Sequence, residues 1–316
     1  MTFLNNMYIV FIQVLMLAIM IGVGFVGDKL KVFTEKAARM CNDLLFYIIT
    51  PCVIIKSFAE VDYTPENAGG FFVAFGCAAA LHVLGMIVTL FIFNKGDKDR
   101  NAVFKYACMY SNMGYMGLPL SAAVLSAVSE NGDMGTFYCS AAVVCFNMFS
   151  FTHGTFIMSG NKKFDLKKLI LNPGTVSVLI GLPIFLFGIE LPGVIYTPIE
   201  SIGSMNTPIA MMMLGTYLSN ANMKDALSEK KVYFTAFLKL LAFPILLVLL
   251  FWLCGLRGDI LIVASVFVSA PTATNTAMFA AKFNKDTALA SQVCGFSTLL
   301  SILTMPVCVA LGVMLA

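Results

Sequence analysis

The sequence has little charge. Asp, Glu, Lys and Arg make up 12% of its 316 residues, where a soluble domain carries about a quarter. It has two histidines and one tryptophan. Neither GxSxG nor HExxH occurs, and the two histidines, His82 and His153, stand far apart. That excludes the common nucleophile-plus-base and zinc arrangements of an intramembrane enzyme. The nine cysteines are scattered, with no CxxC pair and no metal-ligand spacing, and read as small buried hydrophobes. No polar stretch is long enough for a separate soluble domain or a partner-binding tail, which weighs against a membrane sensor that does not transport. The net charge of +3 identifies no partner. Neither a nucleic acid, a metal nor a cofactor is called for.

What the chain has in abundance is apolar length. Hydrophobic residues make up 59%, more than a soluble core can hide, so the partner for most of the surface is a lipid bilayer. A spanning helix needs about 20 largely apolar residues. The chain offers ten candidates, of which the sixth is short and carries Pro183 and the tenth is long with Pro306 inside it. The first five are Tyr8–Val26, Arg39–Phe58, Gly69–Phe93, Val103–Val128 and Phe137–Met158. The second five are Thr175–Ile189, Pro198–Leu218, Val232–Cys254, Ile260–Ala281 and Thr287–Leu315. The first run lacks a basic leader and a small-residue cleavage site, and reads as a retained helix.

Lysine and arginine collect on the cytoplasmic side of short loops. All but three of the 20 basic residues follow an odd-numbered span, in clusters that include Lys29 to Arg39, Lys95 to Lys105 and Lys162 to Lys168. The exceptions are Lys56, Lys239 and Arg257. The other loops carry acids, among them Glu60, Asp62, Glu66, Glu130 and Asp133. This alternation predicts ten spans with both termini outside a plasma membrane.

Ten spans divide into 5+5, and an odd number per half inverts the second half. Residues 1–160 form the first repeat, 161–172 a cytoplasmic linker and 173–316 the second repeat. Thr50-Pro51 in span two answers Thr207-Pro208 in span seven, and SNMGYMGLPL in span four answers SAPTATNTAM in span nine. Proline removes a backbone donor and clashes with the carbonyl four residues back, and glycine weakens a helix. The stretch from Ser111 to Pro119 is therefore expected to break span four, and that from Ser269 to Thr276 to break span nine. Broken backbone at membrane depth is tolerated where it lines a cavity or is covered by protein. Half-helix N-termini carry positive partial charge and free N–H groups, which suit a carboxylate.

Other polar residues fall inside spans. Asp43 lies near the inner end of span two, as a wet structural carboxylate or a coupling group. His82 and His153 are satisfied hydrogen-bonding histidines or proton carriers. Lys56 and Glu200 lie toward outer ends, where snorkelling is easy. Lys239 lies about two turns into span eight; it neutralises an anion, pairs with an acid or snorkels inward. The run Met211-Met212-Met213 reads as packing.

SNMGYMGLPL, together with the proline-led PTATNTAMFAAKF, resembles the auxin efflux carrier family, which includes bacterial malate and malonate permease-like members and the plant PIN carriers. The resemblance covers all ten spans. It implies an all-α membrane protein of bile-acid-symporter or NhaA-like fold, a 5+5 inverted repeat with broken, crossing helices four and nine. Spans one, two, six and seven would form a scaffold, and spans three to five and eight to ten a transport domain that moves like an elevator. Asn112 matches the substrate-contacting asparagine of the PIN members, and Asn147 a polar span-five residue. Gly114, Met116, Gly117 and Pro119 would complete the span-four side, and Pro271, Thr272, Asn275 and Thr276 the span-nine side. Asp43, His82, His153 and Lys239 would support or couple. The family also allows a homodimer through the scaffold helices.

This chain has no long loop between spans five and six, and has Ser111 where PIN members have proline. A small mono- or dicarboxylate such as malate or malonate fits better than auxin. An auxin-like aromatic carboxylate is the alternative cargo. Uniport, proton symport and sodium symport remain open; the breaks offer amides and hydroxyls but no acid for sodium.

Overall fold

A computed structural model describes residues 3–160, 171, 173–221 and 228–316. The linker expected at 161–172, apart from Leu171, and its four lysines lie outside the described residues, as does Lys224. Among the described residues every regular element is a helix. Six are long and apolar enough to cross a bilayer: α1 (Phe3–Lys29), α2 (Glu35–Glu60), α3 (Pro65–Phe91), then α6 (Gly132–Ser159), α10 (Lys230–Leu253) and α13 (Thr287–Leu315). Between them lie shorter helices. These are α4 (Lys98–Met109), α5 (Met113–Val128), α7 (Pro173–Leu186), α8 (Gly193–Ser204), α9 (Asn206–Asn220), α11 (Gly258–Ser269) and α12 (Asn275–Lys282).

Large apolar side chains line the outside of these helices. On α1, Leu4, Tyr8, Met16, Ile19, Val23 and Val26 are exposed. In water such a surface would aggregate; in a bilayer it is solvated. Side-chain caps appear where helices begin in polar loops. Thr64 Oγ1 accepts from Asn67 N at 3.0 Å at the start of α3. Asp97 accepts from Asp99 N at the start of α4, and Asp286 from Leu289 N at the start of α13.

Three prolines inside helices have a local solution. Wide five-residue turns at Leu45–Ile49, Met113–Gly117 and Leu238–Ala242 each end two residues before a proline: Pro51, Pro119 and Pro244. The carbonyls that these rings would strike belong to Tyr47, Tyr115 and Leu240, inside the wide turns. Widening the turn moves the carbonyl aside, and the helix continues. Gly114, Gly117 and Pro119 are therefore helical, and the interruption expected across Ser111 to Pro119 is confined to residues 110–112. The span expected at Pro198–Leu218 begins earlier, at Gly193, and is two helices that meet at Met205.

α1 and α9 touch backbone to backbone. A Cβ on Gly24 would stand 2.0 Å from Met212 O, and one on Gly215 2.0 Å from Ile21 O. Thr216 Oγ1 donates across this contact to Gly24 O at 3.4 Å. Near one end of α2, Lys56 Nζ lies 3.2 Å from Glu60 and 3.3 Å from Glu200, and Tyr196 OH donates to Glu60 at 2.5 Å. Lys56 and Glu200 thus pair and join α2 to α8.

Candidate functional site

α4 stops at Met109 and α11 stops at Ser269. The chain beyond each is extended, and the two extended pieces pair antiparallel at Ser111 and Thr272. Asn112 N donates to Pro271 O at 2.8 Å, and Ala273 N to Tyr110 O at 2.9 Å. Each piece supplies partners that the other lost on leaving its helix, the requirement for irregular backbone in a dry interior. Thr272 anchors the pairing. Its amide donates to Ser297 Oγ and its hydroxyl to Ala107 O at 3.1 Å.

From this pairing two helices start, α5 after Asn112 and α12 after Thr274. The first amides of a helix have no intrahelical acceptor. Met113 N folds back to Ser111 O, while Met116 N and Gly117 N donate to Asn112 O. The Gly114 and Tyr115 amides, between them, belong to residues that line a cavity of about 40 Å³. Phe46 and Thr50 from α2, Phe146 and Asn147 from α6, Gly174 from α7, and Thr274 and Asn275 also line it. The space holds about three waters, enough for a carboxylate group. Asn112 Nδ2 and Thr50 Oγ1 are buried and have no hydrogen-bond partner among the described residues. A buried donor left so costs about 1–3 kcal/mol until a ligand accepts from it.

A larger space of about 640 Å³ lies beyond, lined by Glu35, Arg39, Asn42, Asp43 and Gln292 among others. That is within the size range of small-molecule sites. Thr274 lines both spaces. Tyr115 OH donates to Asn42 Oδ1 at 3.2 Å between them. Arg39 pairs with Glu35 at 2.6 Å, and both are substantially exposed.

The residues expected to bind substrate divide. Asn112, Gly114, Asn147 and Asn275 line the cavity. Six do not. Met116 is packed away, and Gly117 faces Cys139 Sγ, which a Cβ would meet at 3.3 Å. Pro119 sits a turn further along the helix. Pro271 gives its carbonyl to Asn112, Thr272 its polar atoms to the pairing, and Thr276 Oγ1 donates to Ala273 O at 2.7 Å.

The supporting residues also divide. Asp43 is exposed on the wall of the larger space. His82 is buried; its Nδ1 donates to Ala78 O at 2.6 Å and its ring stacks on Phe149. His153 Nδ1 lies 3.5 Å from Tyr110 OH, so it touches the break without lining the cavity. Lys239 neither snorkels nor pairs with an acid among the described residues: it is fully buried and its Nζ donates to Ser111 Oγ. Sequence reasoning missed Phe46, Thr50, Gly174 and Thr274. Thr50 had a signal, as the hydroxyl beside Pro51.

Comparison with known proteins identifies the family. The family described as membrane transport protein matches residues 9–165 and 161–309. An uncharacterised transporter of Methanothermobacter thermautotrophicus is 22% identical over 93% of this chain and 95% of its own length. One of Methanocaldococcus jannaschii is 24% identical over 67% of this chain and 70% of its own. Auxin efflux carrier component 7 of Arabidopsis thaliana is 28% identical over 43% of this chain and 23% of its own length. With its multi-pass apolar helices and matches along nearly its whole length, the chain belongs to the membrane transport protein family, that of the auxin efflux carriers.

Proposed function

We propose that the protein is a secondary carrier for a small carboxylate, a mono- or dicarboxylate such as malate or malonate. The observation that carries this is the pair of buried polar atoms without a partner among the described residues, Asn112 Nδ2 and Thr50 Oγ1, in one cavity where two helices begin. The two N-termini add positive partial charge without a fixed cation at the wall. One carboxylate group there accepts from Asn112, Thr50 and the first amides of α5, while the rest of the molecule extends past Thr274.

The walls of the cavity support an elevator-like movement. Phe46, Thr50 and Gly174 come from spans two and six, the remaining lining residues from spans four, five and nine. A cavity between two groups of helices changes its exposure when one group slides against the other. In this reading the ten spans form a 5+5 inverted repeat, with spans four and nine interrupted at Tyr110–Asn112 and Ala270–Thr274. The larger space opens to the cytoplasm, on the side of the basic clusters.

Phe46 and Phe146 in the cavity wall favour a second reading, an auxin-like aromatic carboxylate as cargo. Flux into proteoliposomes separates the two. Malate, malonate and an indole carboxylate are offered to the native protein and to Asn112→Ala. The expected result is flux of one class and its loss, tenfold or more, in the variant. Equal flux in the two proteins removes this site; no flux with any carboxylate removes the carrier reading.

A further inference from the structure

Lys239 occupies the middle of α10, in the wide turn Leu238–Ala242, and is fully buried. Its Nζ donates to Ser111 Oγ, one residue from Asn112 in the break. α4, α11 and α13 pack around the turn, and α3 packs on the same helix. The titratable groups they bring are Cys108 on α4, Cys308 on α13 and His82 on α3. The acid of α11, Asp259, lies at the helix start, where Asn131 donates to it. No carboxylate among the described residues pairs with Lys239.

An ammonium in such a place carries a large desolvation penalty unless opposite charge joins it. A neutral amine carries far less and still donates to Ser111. The opposite charge that the proposed function brings here is the cargo's own carboxylate, at Asn112. Ser111 is the bridge: its oxygen accepts from Lys239, and its own proton is free to turn toward the anion.

We propose that Lys239 takes up a proton when a carboxylate occupies the cavity and gives it back when the carboxylate leaves, so that anion and proton are carried together. This rests on the carboxylate reading above. On loading, the Nζ lone pair accepts one proton from water in the larger space and –NH2 becomes –NH3+; on release the reverse occurs, and no other bond changes. Because the two binding events are linked, each tightens the other by the same factor.

The test is calorimetric titration of purified protein with malonate, or with whichever carboxylate gives flux, in buffers of different ionisation enthalpy over roughly pH 7–9, where carboxylates are fully ionised. The native protein is expected to take up about one proton per anion, and its Kd to rise toward tenfold per pH unit. Lys239→Arg, charged throughout, is expected to bind with no uptake and a flat pH profile. Lys239→Met is expected to bind weakly, also without uptake. Binding by the native protein with no proton uptake and a pH-independent Kd overturns the proposal, and this arm needs no variant to fold. Uptake that persists in Lys239→Met overturns it too. Failure of every carboxylate to bind overturns the carrier reading instead.

Discussion

The main chain of Ser111 runs antiparallel to that of Thr272, held by Asn112 N on Pro271 O at 2.8 Å and Ala273 N on Tyr110 O at 2.9 Å. Two helix ends distant in sequence thereby become one rigid piece. Residues that hold the piece together and residues that face the cavity should respond differently to mutation. Thr272→Val removes the buried hydroxyl that serves Ala107 O and is expected to cost about 1–3 kcal/mol. Asn112→Ala removes an Nδ2 that has no partner among the described residues and should leave the melting temperature close to native while abolishing carboxylate-induced stabilisation. Thermal unfolding in detergent, with and without carboxylate, reads both.

The contact of α1 with α9 has no room for a side chain at Gly24 or Gly215. Gly215→Leu is expected to cost more than about 3 kcal/mol, the upper end of ordinary overpacking. Gly114 is the counter-case. A Cβ there meets nothing within 4 Å, and Gly114→Ala should change stability by less than about 0.5 kcal/mol. It would, however, place a methyl group in the cavity and weaken carboxylate binding. Monodispersity on gel filtration distinguishes the first variant from the second.

Arg100 bridges three helices, reaching Glu229 at 2.8 Å and Asp286 at 3.0 Å, and Lys285 reaches Asp99 at 2.5 Å beside it. The groups are partly exposed, so each pair is worth about 0.2–1 kcal/mol. Arg100→Gln is expected to lower stability by about 1 kcal/mol in low salt, with the difference shrinking in high salt as the charges are screened. Melting curves at two ionic strengths check this.

Cys254 is exposed, in the loop after α10, and Cys41 is half-buried on α2 near Arg39. If both termini lie outside, as the charge pattern predicts, a membrane-impermeant maleimide applied to intact cells should label a variant that keeps Cys254 alone and spare one that keeps Cys41 alone. The reverse pattern would invert the orientation.

The class of the protein was legible because charge is scarce, and charge is what an aqueous surface requires. The long helices α1, α3 and α13 match apolar runs that composition alone delimits. The break after Met109 was legible as a neighbourhood, not a position. Glycine and proline were expected to break the helix where they stand, but a wide turn at Met113–Gly117 absorbs Pro119, and the interruption falls upstream. Phe46 and Gly174 could not be read as cavity walls, because they reach it from other helices through tertiary packing. Lys239 was visible as a lysine inside an apolar span. Its partner Ser111, 128 residues away, was not, since no local pattern links the two.

Thr274 lines both spaces, so its small side chain forms part of the partition between the cleft and its antechamber, beside the Tyr115–Asn42 hydrogen bond. A side chain of that size changes rotamer on a far shorter timescale than packed helices slide. If the protein is the elevator-like carrier proposed above, filling and emptying from that face would sit near equilibrium during each cycle, and turnover would be paced by the slower transit that carries the cleft to the other side.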